Sequence, residues 1–358
     1  MIATAPTTGV DYRPSFPRGY APGIGLVGCG AVARAWHLPA YRKYGVDVVG
    51  VYDRLPEATN RVRDEFPFIR RVFGTLDELL SDPEIEIVDI ATAPEVRLEL
   101  IRRALEAGKH VLSQKPLALD VRAARRLVEE AERRRLTIAV NQNGRWAPPW
   151  RIATLLIEQR AIGELVAITH LLDKPLPPLV GTHFDELEHF TIYDYFVHWI
   201  DISRCWLDGK QISAVRGREY RPPNQPADAQ AAWAAWVEVE CDDGTNAMIR
   251  SVGDARTSRP SCPFWIHGSD GTIRGSVLVD SDFVELERDE NITRFALDGA
   301  WYPDGFAGTL GELASAVAEN REPFNSARHN LLSLRMTLAA CRSAEEGSRS
   351  VALDEIAA

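Results

Sequence analysis

The chain has 358 residues, which is enough for about two domains at roughly 150 residues each. It is 45% hydrophobic and 26% charged, a composition typical of a globular protein with a substantial core. Its 41 basic and 51 acidic side chains leave a formal net charge of −10, which argues against nucleic acid or an anionic membrane as the main partner.

The first 22 residues contain several prolines and no apolar signal-peptide core, so we interpret residues 1–22 as an N-terminal arm that is either disordered or laid across the surface. The chain has no apolar run of the roughly 18 residues that a membrane span needs. Its 5 cysteines are odd in number, widely spaced and without a CxxC pair, which favours a reducing compartment. We therefore expect a cytoplasmic protein.

Apolar strands alternate with helices in residues 23–145. The predicted strands are Ile24–Cys29, Val46–Asp53, Ile85–Thr92, Lys109–Gln114 and Leu136–Asn143. The predicted helices are Ala31–Lys43, one from Pro56, Glu95–Ala107 and Asp120–Arg135. This alternation predicts an α/β domain with a parallel sheet.

Residues 146–358 form a predicted second α/β domain. Residues 211–297 contain alternating β-rich segments separated by Asp-Gly turns, which indicates antiparallel hairpins, and two helices follow at Asp304–Asn320 and Ala327–Glu346. The apolar run Ala231–Val237 would be poorly tolerated on an exposed sheet face. We therefore expect a homodimer or homotetramer that pairs through this sheet.

A dinucleotide fingerprint lies between the first strand and the first helix. Residues 28–33 read G-x-G-x-x-A, in which Gly28 permits a tight turn, Gly30 lets the backbone approach a pyrophosphate and Ala33 keeps the helix close to the strand. Ala31 and Val32 complete the loop and, with the helix N-terminus, offer backbone N–H groups to phosphate. The pattern predicts a bound NAD or NADP.

The next strand ends in Asp53, at the spacing of the acid that accepts hydrogen bonds from ribose hydroxyls. A carboxylate there repels the 2′-phosphate of NADP, whereas the adjacent Arg54 can accommodate it. The pair favours NAD and leaves NADP as the alternative.

Four segments together resemble the glucose–fructose oxidoreductase / inositol dehydrogenase (Gfo/Idh/MocA) family: IGLVGCGAVARAWHLPAY, EAGKHVLSQKPLALD, NGRWAP and DYFVHWID. The resemblance extends from about residue 24 to the C-terminus. It implies an N-terminal Rossmann domain, a C-terminal α/β domain with an open, mostly antiparallel sheet, and a sugar, cyclitol or similar polyol bound between them.

The resemblance also implies site residues. Lys115 matches the catalytic lysine of the Glu-Lys-Pro motif and is expected near both cofactor and substrate, although Gln114 replaces the usual glutamate. Asp194 and His198 match an Asp-x-x-x-His motif. Thr92 is implied near the cofactor, and Arg97 replaces a frequent histidine. Asn143 and Arg145 are weaker candidates for substrate contact, and packing or a salt bridge is the alternative role for either.

The expected chemistry is oxidation of a secondary alcohol, which needs a base for the hydroxyl proton and a cation for the developing alkoxide. His198 suits the first role and Lys115 the second, and on one helix Asp194, His198 and Asp201 would share a face. Such an Asp–His pair is also common on solvated helix surfaces.

The segment with His183, Asp185, Glu186, Glu188 and His189 matches no helix-borne ligand set, so no metal is predicted. The expected function is hydride transfer between NAD(P) and a hydroxyl of a sugar, cyclitol or glycoside. Two alternatives stay open: a redox lyase or glycoside-cleaving enzyme that retains its NAD, and a non-catalytic NAD-binding regulator.

Overall fold

The computed structural model describes residues 2–5, 10–176, 178–279 and 281–356, and for residues 2–5 it describes the backbone alone. Contacts divide the chain into two compact units, neither of which is continuous in sequence. The parallel-sheet unit consists of Arg13–Trp146 and Tyr302–Leu331. The mixed-sheet unit consists of the residues up to Tyr12, Ala147–Trp301 and the residues from Leu332.

The elements are numbered in chain order. The strands are β1 Ile2–Ala5, β2 Gly23–Val27, β3 Val48–Tyr52, β4 Arg71–Val72, β5 Ile85–Ile90, β6 His110–Ser113, β7 Ile138–Val140, β8 Leu165–Leu172, β9 Ile212–Tyr220, β10 Ala234–Cys241, β11 Asn246–Val252, β12 Pro263–Gly268, β13 Thr272–Ser276, β14 Phe283–Arg288, β15 Asn291–Phe295 and β16 Val351–Ala352. The α-helices are α1 Leu38–Tyr44, α2 Pro56–Glu65, α3 Leu76–Ser81, α4 Pro94–Glu106, α5 Val121–Arg134, α6 Pro148–Glu158, α7 Val197–Trp206, α8 Trp301–Glu319 and α9 Ala327–Glu345. Turns of π-helix lie at Ala33–His37 and Phe190–Tyr195, and 3₁₀ turns lie at Asn143–Trp146, His183–Glu186 and Leu353–Glu355.

The parallel-sheet unit has a six-stranded sheet in the order β4-β3-β2-β5-β6-β7, and every pair is parallel. Its central strands are buried, as parallel strands covered by helices on both faces must be. The strand order reverses direction at β2, so the carboxyl ends of β2 and β5 flank the point where ligands of such sheets bind. The prediction of a parallel α/β domain is confirmed.

The core of this unit includes residues from the C-terminal part of the chain. Phe306, Leu310 and Leu313 of α8 are buried in one cluster with Leu26 of β2 and Leu112 of β6. The predicted domain boundaries, after residues 22 and 145, stay a prediction. The two compact units differ from them because Tyr302–Leu331 belongs with the first sheet. The physical reason is that α8 covers apolar surface that residues 23–145 leave open.

The mixed-sheet unit has a ten-stranded sheet in the order β1-β15-β14-β13-β12-β8-β11-β10-β9-β16. Its pairs are antiparallel except β1 with β15 and β8 with β11. This confirms the prediction of a mostly antiparallel second sheet. The central strand β8 and helix α6 were not predicted, although Pro148 at the start of α6 and Gly163 before β8 were usable signals.

The N-terminal arm divides between the two units: its residues up to Tyr12 belong to the mixed-sheet unit, and its residues from Arg13 belong to the parallel-sheet unit. β1 pairs in parallel with β15, and the buried Tyr12 accepts a hydrogen bond from the amide of Asp298 at 2.6 Å. Residues 1 and 6–9 of the predicted arm lie outside the described residues.

The run Ala231–Val237 does not lie exposed. Trp233 is buried with Leu179 and Phe190 in a separate cluster, and Val237 is fully buried. Most of the run is therefore covered within the unit, but Trp236 is half-exposed, and pairing of subunits through this sheet stays a prediction. Among the described residues, no helix is long and apolar enough to cross a bilayer.

An aromatic cluster in the mixed-sheet unit encloses His170 of β8. The imidazole stacks on Trp206 with ring centroids 5.5 Å apart, and within the described chain neither ring nitrogen has a hydrogen-bond partner. Because this burial disfavours the imidazolium, it lowers the pKa of His170 to about 3.

We expect His170 to make the fold acid-sensitive. Between its pKa of about 3 in the folded protein and about 6.5 in the unfolded chain, only the unfolded chain binds the proton, so stability is lost as pH falls through this window. Between pH 7 and pH 4, the free energy of unfolding of the wild type should therefore fall by about 3 kcal/mol more than that of His170→Phe. Urea titrations at both pH values measure this, with the exposed His267→Gln as the control. Parallel losses in all three proteins would contradict the prediction.

Candidate functional site

The turn after β2 has the geometry of a phosphate cradle. Gly28 has φ +99°, and a Cβ there would lie 2.6 Å from the carbonyl oxygen of Ala91, so no other residue fits. At Gly30 a Cβ would meet no atom of the described residues within 4 Å, so these residues give no reason for glycine there. A ligand that approaches this backbone closely gives one, and the residues present therefore fit a bound pyrophosphate.

The helix that follows begins irregularly. Ala31 and Val32 are exposed, Ala33 is fully buried, and Ala33–His37 form a π-helical turn before α1. Such turns inside helices are frequent at functional sites because the extra residue redirects a side chain. Here the turn places the last of its residues, His37, in the interior of the unit.

Asp53 follows β3 and is held by two backbone amides. Its Oδ2 accepts from Cys29 N at 2.7 Å, and its Oδ1 accepts from Leu55 N at 2.9 Å. Burial and the Asp53 charge together raise the pKa of the Cys29 thiol to about 12, so this cysteine is no nucleophile. The carboxylate is therefore fixed directly beside the phosphate turn, while Arg54 is exposed.

Thr92 and Lys115 follow the neighbouring strands β5 and β6, so they lie at the same edge of the sheet as the phosphate turn. Arg97 is buried and donates to the carbonyl oxygens of Thr92 and Pro116, which joins the two loops. The replacement of a histidine by Arg97 thus supplies a cross-link between the loops that carry two predicted site residues.

Gln114, which stands where a glutamate was expected, belongs to a buried polar chain. Its Oε1 accepts from the amide of Lys115 at 2.9 Å, and its Nε2 lies 2.9 Å from His37 Nε2. On the other side, His37 Nδ1 lies 2.6 Å from Asp89 Oδ2. Sequence reasoning missed His37 and Asp89, although an acid inside the apolar strand IEIVDI was a usable signal.

Asn143 and Arg145, the weaker substrate candidates, are buried in the parallel-sheet unit, at 2% and 1% exposure. Arg145 donates to the carbonyl oxygen of Phe324 and lies over its ring at 5.1 Å. The structure therefore gives Arg145 a packing role, and substrate contact by either residue stays a prediction.

In the mixed-sheet unit, Asp194 and His198 do not lie on one regular helix. Asp194 belongs to the π-turn Phe190–Tyr195, whereas His198 lies in the first turn of α7. Asp201, on α7, is buried and accepts from Ser333 Oγ at 2.6 Å. The expectation of one regular helix for all three is therefore wrong for Asp194, whereas His198 and Asp201 are three residues apart on α7.

His198 is 7% exposed and packs edge-on against Trp301, with ring centroids 5.3 Å apart. Trp150, Trp199 and Trp301 form the adjoining core, each at most 2% exposed. These tryptophans are therefore core residues, and His198 packs against the edge of this aromatic core.

The π-turn with Asp194 is anchored by His189. His189 Nδ1 lies 2.7 Å from Glu219 Oε2 and His189 Nε2 lies 2.9 Å from Glu345 Oε1, while Glu219 Oε1 accepts from Ile192 N. The hydrogen bond to Glu219 raises the pKa of His189 to about 9. Glu188, His189 and Glu345 bring ligand-type atoms within 4.8 Å of one another, but both ring nitrogens already bond carboxylates, so we interpret the group as an ion-pair cluster.

Two family models match the chain. Residues 23–142 match the oxidoreductase family with an NAD-binding Rossmann fold, and residues 150–274 match the GFO/IDH/MocA C-terminal domain. Together they cover more than half of the chain.

Individual proteins are similar over most of their length. A 1,5-anhydro-D-fructose reductase of Ensifer adhaerens is 27% identical over 90% of this chain and 96% of the relative, and a D-apiose dehydrogenase of Paraburkholderia graminis is 26% identical over 93% and 90%. An Agrobacterium radiobacter oxidoreductase, solved with NAD+, L-tartaric acid and magnesium, has the same fold with a TM-score of 0.81, 23% identity and coverage of 94% and 99%. The chain therefore belongs to the Gfo/Idh/MocA family and is an NAD-binding oxidoreductase.

Proposed function

We propose that the chain transfers hydride between NAD and a secondary hydroxyl of a sugar, cyclitol or related polyol. The observation that carries the proposal is the position of Lys115 at the carboxyl end of β6, on the sheet edge that also carries the phosphate turn and Asp53. The sugar-directed names of the relatives from Ensifer and Paraburkholderia support the substrate class.

In the proposed reaction, the hydride acceptor would be the nicotinamide ring of bound NAD. The backbone of Gly28–Ala33 binds the pyrophosphate and Asp53 binds the ribose hydroxyls. His198 removes the hydroxyl proton, and the Lys115 ammonium stabilises the oxygen as it becomes negative. Asp194 orients the His198 imidazole or binds a neighbouring substrate hydroxyl. NADP is the alternative cofactor.

A substrate panel tests the proposal. The purified protein is incubated with NAD and single aldoses, ketoses, cyclitols or glycosides, while absorbance of the reduced nicotinamide is followed and products are identified by NMR. We expect NADH and a ketone or lactone from at least one class. A cleaved or dehydrated product without net NADH would establish the redox-lyase alternative, and NAD binding without any product would establish the regulator.

Asp53 should determine the affinity for NAD. Asp53→Ala removes the acceptor for the ribose hydroxyls, which should weaken NAD binding by about 1.5–3 kcal/mol and relax discrimination against NADP. Titration calorimetry with both nucleotides measures the two effects, with Asp64→Ala, an exposed carboxylate at the end of α2, as the control. Unchanged NAD affinity, or a wild type that prefers NADP, would contradict the assignment.

The open face of the ten-stranded sheet is the proposed contact between subunits. Its half-exposed side chains include Trp236, Trp265, Met248 and Leu171, interleaved with arginines and glutamates. We expect a dimer or tetramer by light scattering at micromolar protein. Trp236→Glu should lower the molar mass of the assembly, and a monomeric wild type would contradict the proposal.

A further inference from the structure

The buried chain around Gln114 fixes more than packing. His37, Asp89 and Tyr41 are each fully buried, and Gln114 is 7% exposed. Asp89 Oδ2 lies 2.6 Å both from Tyr41 Oη and from His37 Nδ1. The chain therefore consists of short polar contacts away from solvent, where each donor needs an acceptor.

The direction of these hydrogen bonds can be assigned from one end. The Lys115 amide is a donor, so the Gln114 atom that faces it at 2.9 Å must be the carbonyl oxygen. The other amide atom, which faces His37 Nε2 at 2.9 Å, is then the NH₂ group. Since that group only donates, His37 Nε2 must accept and carries no proton.

The second nitrogen of His37 has the opposite role. Its neighbour at 2.6 Å is the Asp89 carboxylate, which accepts, so Nδ1 carries the proton. The side-chain nitrogen of Asn141, 3.4 Å from Nε2, is a further donor-type neighbour of the unprotonated nitrogen. The ring is thus neutral and in a single tautomer.

We propose that Gln114 is a positioning residue that fixes His37 as the neutral Nδ1–H tautomer and, through the same amide group, anchors the Lys115 peptide at the cofactor edge of the sheet. A glutamate at position 114 would reverse one contact. Its carboxylate accepts from the Lys115 amide as Gln114 does, but it also accepts from His37 Nε2, which then becomes protonated. With Gln114, the buried hydrogen-bond network therefore holds one charge pair fewer than it would with a glutamate at this position.

The wild-type protein alone tests the first half. Long-range ¹H–¹⁵N spectra of the ¹⁵N-histidine-labelled full chain, with and without NAD, report the protonation of each ring nitrogen. We expect a His37 pattern with protonated Nδ1 and unprotonated Nε2, both with and without NAD. It is assigned by its loss in His37→Gln, or by elimination with substitutions of the other histidines. A doubly protonated His37, or the Nε2–H tautomer, would overturn the proposal.

Two variants at position 114 separate the two contacts. Gln114→Glu keeps the acceptor for the Lys115 amide and should convert His37 to the doubly protonated form, whereas Gln159→Glu, an exposed control on the other unit, should leave the His37 pattern unchanged. Gln114→Met removes both contacts, so hydrogen exchange of the Lys115 amide should rise about tenfold or more, against a change below about threefold in Gln114→Glu. A neutral His37 in Gln114→Glu, or equal exchange in both variants, would count against it.

The catalytic consequence rests on the proposed function. On a substrate from the panel, Gln114→Met should lower kcat by about tenfold or more, while KM for substrate and NAD affinity change by less than about threefold, because Lys115 is misplaced mainly for the transition state. A loss confined to KM would overturn the positioning role. The histidine spectra and the amide exchange need no substrate, so an absence of hydride transfer in the wild type would leave those two results interpretable.

Discussion

Replacement of His198 by alanine should lower kcat for alcohol oxidation by about 10²–10⁴-fold and leave NAD binding nearly intact. The imidazole is the proposed base and belongs to the mixed-sheet unit, whereas the phosphate turn belongs to the parallel-sheet unit. In the wild type, the rate should rise with pH through a limb near neutrality, and His198→Ala should lose that limb. Stopped-flow measurement of hydride transfer across pH 5.5–9 tests both statements.

The control for His198 has to exclude a packing effect, because the ring contacts Trp301. His198→Asn retains polarity and most of the volume, and should be as inactive as His198→Ala while unfolding at nearly the wild-type urea concentration. His267→Ala, at an exposed position on β12, should keep both rate and limb. Wild-type turnover in His198→Asn would remove this residue from the mechanism.

Lys115→Ala should lower kcat by about 10²-fold or more, because the charge oriented toward the developing alkoxide is lost. Substrate affinity should fall less than the rate, since the charge is needed most in the transition state. Lys115→Arg keeps the charge but changes its shape and reach, and should recover only part of the rate. Separate kcat and KM values for the three proteins test this.

The two roles can also be reversed, and the same profiles decide. If Lys115 is the base, its alanine variant rather than that of His198 will lose the pH limb. The neutral Gln114 side chain gives a reason to test this outcome, because it places no negative charge beside Lys115. Near wild-type turnover in both alanine variants would show that neither residue takes part in proton transfer.

The sequence predicted the cofactor half of the site better than the other half. Gly28, Gly30 and Asp53 lie within one strand–turn–helix–strand segment, where local spacing determines which groups meet. Their positions are therefore readable from short-range pattern alone. The same is true of Lys115, because a residue that follows a parallel strand must lie at the carboxyl edge of its sheet.

Other features depend on contacts that spacing does not encode. Asp194 and His198 are four residues apart, as on an α-helix, but the π-turn at Phe190–Tyr195 breaks that periodicity. The anchor of this turn is His189 between Glu219 and Glu345, residues from distant parts of the chain. Likewise, no local pattern predicts the long-range hydrogen bond from Arg145 to the carbonyl oxygen of Phe324.

The return of Tyr302–Leu331 to the first sheet has a consequence for how the protein is made. β2 to β7 leave the ribosome first, but Phe306, Leu310 and Leu313, which share their core, are synthesised only after β8 to β15. Until α8 is synthesised, the nascent parallel-sheet unit exposes the apolar surface that α8 later covers. Most strands of the mixed sheet leave the ribosome during this time. A ribosome-stalled chain that ends at Trp146 should therefore be protease-sensitive and bind chaperones, although it carries the whole dinucleotide fingerprint.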